Sequence, residues 1–445
     1  MPALYAVVNG TASDESDLNQ YRALARGGAI FDVKNGYGAV GNGTTDDTAA
    51  VQAAIDAAAA GNGGIVFLPP GTYLCSTLTL KTKVHVVGSG YEASILKLKA
   101  GTNASLLKGA NFDTLTGSDS HAGIAQWSLQ DLTVDGNRAN NTAGCGIQVY
   151  GFGFTLQNIR VRNCKSHGIY SEWANYASYP DPTFDLMEAF VSNVVVHMCN
   201  GDGIRWAGPN DTNWFGVRIW EVDGHGLYIM PHGQARATNV HVFAVKGSCI
   251  WVEAESQFVN CFAEGAGIGM GDATIPQVYF GVNGCQWVGG MVWAQEAGKV
   301  GFQLGTPTIP VALCVIDTMV HYSSIVIKAD GDSGQNDVRV RAWSPVAPLP
   351  LSADSVAPNS VYDIRLPSNR GSSITTPAVP ASLVSISNDF GVDVTIYVEG
   401  GTCTGAFIDG VRLNSHASPY TIRLQAYHVV ALQYSVAPTW KWVGG

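Results

Sequence analysis

Apolar residues recur along this chain in short alternating runs, and between Asn158 and Val252 one such run returns four times. Aligned without gaps, NIRVRNCKSHGIYS from Asn158, NVVVHMCNGDGIRW from Asn193, GVRIWEVDGHGLYI from Gly216 and NVHVFAVKGSCIWV from Asn239 place their apolar positions in common columns. The last three begin 23 residues apart; the first precedes the second by 35, and the extra 12 form an insertion around Trp173 to Asp185. A fixed period of this size marks a solenoid, in which each repeat buries its apolar face only against its neighbours. Side chains alternate along a strand. Ile159/Val161, Val194/Val196, Val217/Ile219 and Val240/Val242 are therefore expected inside the first strand of each repeat, and Ile169, Ile204, Leu227 and Ile250 inside the second. Cys164 and Cys199 share a column with Val222 and Val245, which reads them as reduced core residues. The column Asp131, Asn158, Asn193, Gly216, Asn239 reads as a turn ladder whose amides bond the backbone of the next coil.

In chain order, residues 1–28 read as an attachment segment with one short helix, and residues 29–344 as a parallel β-helix with an N-terminal cap. The stretch 345–375 is a Pro-rich connector, and 376–445 a small antiparallel β-sandwich of strands such as VDVTIYVEGG and YTIRLQAYHVVALQYS. The cap is a helix with Thr44 or Thr45 as its N-cap, Asp46 and Asp47 at the positive end of its dipole, and Val51, Ala54, Ile55 and Ala58 as its apolar stripe. Such a helix covers the open first edge of a sheet stack.

The strings GNGTTDDTAAVQAAIDAA and GGIVFLPPGTY, over about residues 29 to 100, resemble the pectate-lyase superfamily, with Asn42 where those chains usually carry Asp. The resemblance implies an all-β, right-handed parallel β-helix. Chains with this signature are frequent among bacteriophage tailspikes and tail fibres. It therefore further implies a homotrimeric virion protein, joined to other tail proteins through its N-terminus and acting outside the cell on a bacterial surface polysaccharide. VTIYVEGGT, APTWKW and VVNGTASDESDLNQYRAL also look like parts of phage tail proteins. The signature names a fold and no reaction, since the group includes lyases, hydrolases, epimerases and non-enzymatic fibres.

Composition narrows the partners. Among 445 residues, 52 are Gly and 13% are charged, which suits short strands and tight turns; the net charge of −10 argues against non-specific binding to nucleic acid. The nine Cys show no CxxC or Cys/His zinc spacing, so no metal or cofactor is expected. No window reaches the ~18 apolar residues of a membrane span and no export signal opens the chain, so neither membrane insertion nor signal-directed export is expected.

Candidate chemistry sits on the outward face of the repeats. Tyr170, Arg205, Tyr228 and Trp251 share one outward column, with Gln148 one coil earlier, and read as a sugar-binding strip. Three residues before that column stand His167, Asp202, His225 and Ser248, where an Asp beside imidazoles suits proton transfer. NGDG and DGHG resemble motifs of polygalacturonase-type hydrolases, but the paired-Asp and RIK motifs of that group are absent. Glycoside hydrolysis needs two carboxyl groups. Asp202 with Glu221 or Asp223 is the preferred pair, assisted by His225; Glu172 and Glu253 lie in a column next to the strip. Tyr176 and Tyr179, in the insertion with Phe184, Asp181 and Asp185, extend the binding site or form a subunit contact. Arg160, Arg162, Arg218, His197 and His241 form a second, basic outer strip. The reading is thus a tailspike or tail-fibre protein that binds and, if enzymatic, depolymerises a bacterial polysaccharide. The alternatives are a non-enzymatic fibre and a lyase.

Overall fold

The computed structural model describes residues 30–110, 112–113, 123–172, 188–270, 272, 274–294, 300–321, 325–329, 335–343, 361–365, 375–388, 393–413, 419–425 and 428–444. Helix α1, Thr48–Ala60, packs on strands Ile30–Asp32, Gly64–Leu68 and Leu78–Leu80. It buries Val51, Ala54, Ile55 and Ala58, the four residues of the expected stripe. Its start differs from expectation, because Asp47 takes the N-cap position and Thr44 and Thr45 lie in a strand, Asn42–Asp46. The Asp47 carboxylate does not cap the helix; it accepts the backbone N–H groups of Val40 and Gly41 at 2.7 and 3.0 Å. Asn42 Oδ1 accepts from the N–H groups of Thr44 and Thr45 at 2.9 and 2.8 Å. An Asp oxygen makes the same two bonds, so Asn substitutes here without changing the turn.

The body is a right-handed parallel β-helix. Each central coil carries three short strands, for example Phe190–Ser192, Val195–Cys199 and Ile204–Ala207, followed by Thr212–Phe215, Arg218–Val222 and Leu227–Ile229. Successive coils pair in parallel and in register. Among the described residues, the first two strands of each coil join a 22-stranded sheet that bends between them, and the third joins an 11-stranded sheet. These are called the long and the short sheet below. The alignment predicts two strands per coil and misses the one before the Asn column. That strand has one or two inward residues per coil, Leu156, Val191, Thr212 and Trp214, Ala235 and Ala237, or Phe258, too few to show alternation. The twelve inward residues named from the alignment are each at most 1% exposed.

The Asn column forms the bend of the long sheet. Asp131, Asn158, Asn193, Gly216 and Asn239 all have φ between 51° and 65°, a region open to Gly and favoured among other residues by Asn and Asp. Asn158 Nδ2 donates to Asp131 Oδ1 at 3.0 Å, Asn193 to Asn158 at 2.8 Å and Asn260 to Asn239 at 2.7 Å. These amides thus bond the side chain of the neighbouring coil and not its backbone, which corrects the sequence reading. The backbone needs no help, since Asn158 N–H already reaches Ser192 O at 3.1 Å. Cys164 and Cys199 are fully buried free thiols.

Strand Val361–Arg365 pairs in parallel with Asp337–Trp343, so one rung lies within the stretch read as a connector. Beyond it, Ile386–Ser387, Thr402–Ile408, Val411–Leu413 and Val429–Val436 form one antiparallel sheet, and Val394–Glu399, Tyr420–Leu424 and Thr439–Gly444 another. Val394, Ile396, Val398, Ile422, Leu424, Val430, Leu432 and Trp442 fill the space between them as a β-sandwich core. Residues 1–28, expected to attach the chain, lie outside the described residues.

Candidate functional site

The outward positions of the short sheet stack one per coil. Gln148, Tyr170, Arg205, Tyr228, Trp251 and Tyr279 stand opposite one another in register. Two positions further along the strands come Tyr150, Glu172 and Ala207, and by the same register Met230 and Glu253. The ring faces are used within this ladder. The Arg205 guanidinium lies 6.0 Å from the Tyr170 ring centre and 5.1 Å from that of Tyr228, and Trp251 stacks on Tyr279 at 3.8 Å. Polar atoms are paired across coils. Tyr150 donates its hydroxyl to Glu172 at 2.7 Å; Tyr228 donates to Glu253 at 2.7 Å, and Trp251 Nε1 donates to the same carboxylate at 3.0 Å. Burial and then Glu253 raise the Tyr228 pKa, and burial and then Glu172 push that of Tyr150 up to about 12, so both phenols stay protonated. Three coils separate the two carboxylates, ~14 Å at ~4.8 Å per coil. Between them stand Ala207, the smallest side chain of its column, and Met230.

The second column has a common backbone role. His167 Nδ1 accepts the N–H of Asp202 at 2.9 Å, Asp202 Oδ1 accepts that of His225 at 2.8 Å, and His225 Nδ1 accepts that of Ser248 at 3.0 Å. Each side chain therefore fastens the turn of the following coil. A Nδ1 that accepts an amide carries no proton, so the 3.3 Å approach of His167 Nδ1 to Asp202 Oδ2 is not a charged pair in this state. Asp202 Oδ2 faces Arg205 Nη1 at 3.4 Å. Burial raises the Asp202 pKa, and the hydrogen bond from the His225 amide opposes it. Burial holds His225 below the usual imidazole value, against Asp202 and Glu253, and leaves it neutral.

Comparison with known proteins bears on this geometry. Residues 30–123 match the family described as Rhamnogalacturonase A/epimerase, pectate lyase-like. The pectate lyase-like match thus covers the capping helix and the first coils of the β-helix. Its sequence is 34% identical over 155 residues to mannuronan C5-epimerase AlgE1 of Azotobacter vinelandii; the match covers 31% of this chain and only 10% of that enzyme. The fold is similar to the A-module of mannuronan C-5 epimerase AlgE6 from Azotobacter vinelandii, with a TM-score of 0.54 and 19% identity over 75% of this chain and 97% of that one. It is also similar to ORF18 of Geobacillus virus E2, with a TM-score of 0.52 and 17% identity over 95% of this chain and 78% of that one.

The β-helix brings Tyr170, Arg205, Tyr228, Trp251, Glu172 and Glu253 onto one face, with Asp202 and His225 alongside. It does not bring Glu221 and Asp223 to them. Glu221 is exposed at a corner with φ 51°, and Asp223 accepts from Asn200 Nδ2 at 2.7 Å and pairs with Lys246 at 2.8 Å. Among the described residues, neither shares a hydrogen bond or ion pair with Asp202. Tyr176 and Tyr179 lie outside the described residues. The sequence reading passes over Tyr150, Tyr279 and Phe112, whose ring lies 4.7 Å from Tyr150. Carrying the register one coil back from Glu172 finds Tyr150. Tyr279 stands 28 residues after Trp251, where the 23-residue period is lost. Among the described residues no cluster of acidic, His and Cys side chains has a metal-binding arrangement.

Proposed function

We propose that this protein binds and modifies a polysaccharide along the outer face of the short sheet, as a tailspike or tail-fibre protein of a phage acting at a bacterial surface. One observation carries the reading: Arg205 lies between the rings of Tyr170 and Tyr228, flanked along the row by two Tyr–Glu pairs. Ring edges, hydroxyls and carboxylates in register with the coils offer an extended chain a repeated set of contacts. The matched epimerase is named for mannuronan, which supports a sugar polymer as ligand. A fold shared over most of the chain with a virus protein, together with the signature at residues 29 to 100, supports the phage assignment. Phe215, Val259 and Val288 lie in one column of the long sheet and are 52%, 46% and 41% exposed. Such an apolar stripe supports contact between subunits of a homotrimer, with the N-terminal residues joining other tail proteins. Among the described residues no helix is long and apolar enough to cross a membrane.

Incubation with capsule and wall glycans, followed by mass analysis of the products, tests the proposal. Chain shortening or retention is expected; if no glycan is bound or altered, the reading fails. A lyase reading is favoured over paired-carboxylate hydrolysis by the geometry. Glu172 and Glu253 are further apart than the ~6.5–9.5 Å of an inverting pair. Arg205, by contrast, stands next to a hydrogen-bonded Tyr228 and neutral His225, whose rings are 5.5 Å apart. Products lacking the mass of water and absorbing in the ultraviolet are then expected, and Tyr228→Phe is expected to slow their release about 100-fold or more.

A further inference from the structure

A concave site lies on the long sheet, away from the aromatic row. It is an open groove of about 300 Å³ whose floor runs across three coils through His85, Ser128 and Thr155, which stand opposite one another in register. The next residue in that column is Phe190, 46% exposed. The dip arises because Ser and Thr are short where the next coil carries a phenyl ring.

Its polar groups are set in place. Ser128 Oγ accepts from Gln130 Nε2 at 3.0 Å and lies 3.0 Å from His85 Nδ1. Burial keeps His85 neutral, and its Nδ1 shares one hydrogen bond with the Ser128 hydroxyl. The Gln130 carbonyl, the Thr155 hydroxyl and the Gln126 amide border the same groove, with no side-chain partner among the described residues. No carboxylate borders it, and its one cation, Lys83, already donates to Asn62 Oδ1 at 3.2 Å. A metal ion would meet too few anionic oxygens here, and a polyanion too few cations. Amides and hydroxyls that each donate and accept, beside one exposed aromatic face, match adjacent hydroxyls on a sugar whose C–H face lies on the ring.

We propose that this groove is a second carbohydrate subsite, which takes an uncharged, hydroxyl-rich sugar unit with its polar edge over Gln130 and Thr155 and its apolar face on Phe190. It rests on the reading of the protein as a glycan binder but not on the aromatic row. The full chain is titrated with maltohexaose, cellohexaose and chitohexaose, with hexagalacturonate as the anionic control, while backbone hydrogen exchange is followed along the chain. At least one neutral probe is expected to protect residues 126–130 and 153–157, and the anionic control is not. Gln130→Ala and Phe190→Ala are each expected to weaken that binding about tenfold, a change of about 1.4 kcal/mol. Thr155→Trp fills the groove and is expected to abolish binding, whereas Arg205→Ala leaves it unchanged. If no neutral probe protects these segments, or if the filled groove binds as tightly as the parent, the inference is overturned. Glycan binding at the row with a silent groove overturns this inference alone, and protection of the groove with an inert row overturns only the earlier proposal.

Discussion

Asp202 divides its two oxygens between architecture and site: one accepts the His225 amide, the other faces Arg205. Because an Asn oxygen still accepts that amide, Asp202→Asn is expected to cost little stability. Asp202→Ala leaves the N–H buried without a partner and is expected to cost about 1–3 kcal/mol in urea unfolding. Equal losses for the two variants would contradict the role in fastening the turn. Gly203 shows a second residue-scale constraint. A Cβ there would stand 2.3 Å from Ile219 Cγ2 and 2.7 Å from Gly226 O. Gly203→Ala is therefore expected to destabilise by about 1–3 kcal/mol, read as a lower urea midpoint at unchanged slope. The NGDG string already shows a polar residue before a required Gly. Which atom that residue holds was not readable, because its partner lies on the coil that follows.

Helix α1 is the element most fully readable in advance, since its 3.6-residue stripe depends only on neighbours along the chain. Its N-terminus was not, because Asp47 is drawn away to the amides of Val40 and Gly41. Covering the first coil is the function of α1. Ile55→Ala is expected to lower stability by about 2–5 kcal/mol. Partial exposure of the strand edge beneath is expected to show as association in light scattering. A variant that unfolds at the parent midpoint and stays monodisperse relative to it would remove that role. The strand before the Asn column escaped the sequence reading for the opposite reason: three or four residues with one or two inward side chains do not define a period. Its boundary is set by a positive φ at Asn158 and its equivalents, which acquires meaning only when the coils are stacked.

For the whole molecule, the shifted histidines and two paired carboxylates point in one direction. Burial lowers the pKa of His85, His197, His225, His241 and His321, that of His197 to about 4. Unfolded imidazoles titrate near ~6.5 and take up protons first, so their contribution is complete above that pH and is lost as pH falls through the folded values. Lys99 lowers Asp46 to about 2 and Lys81 lowers Asp56; such carboxylates contribute above their unfolded ~3.9, and that stability is lost as pH falls through their folded values. Glu264, raised by burial, acts the other way. The melting temperature is expected to fall continuously from pH 7 to pH 3, beginning below ~6.5, and His197→Phe is expected to flatten the first part. A profile level down to pH 4.5 would refute this. By itself the sequence determined the coil period, the inward columns and the capping helix, because alternation and repeat length are local properties of the chain. The tertiary structure decided which outward residues meet. Tyr228 reaches Glu253 and Asp202 reaches Arg205 and His167, while Glu221 and Asp223 turn to other partners or to solvent, because contacts between coils depend on how each corner bends.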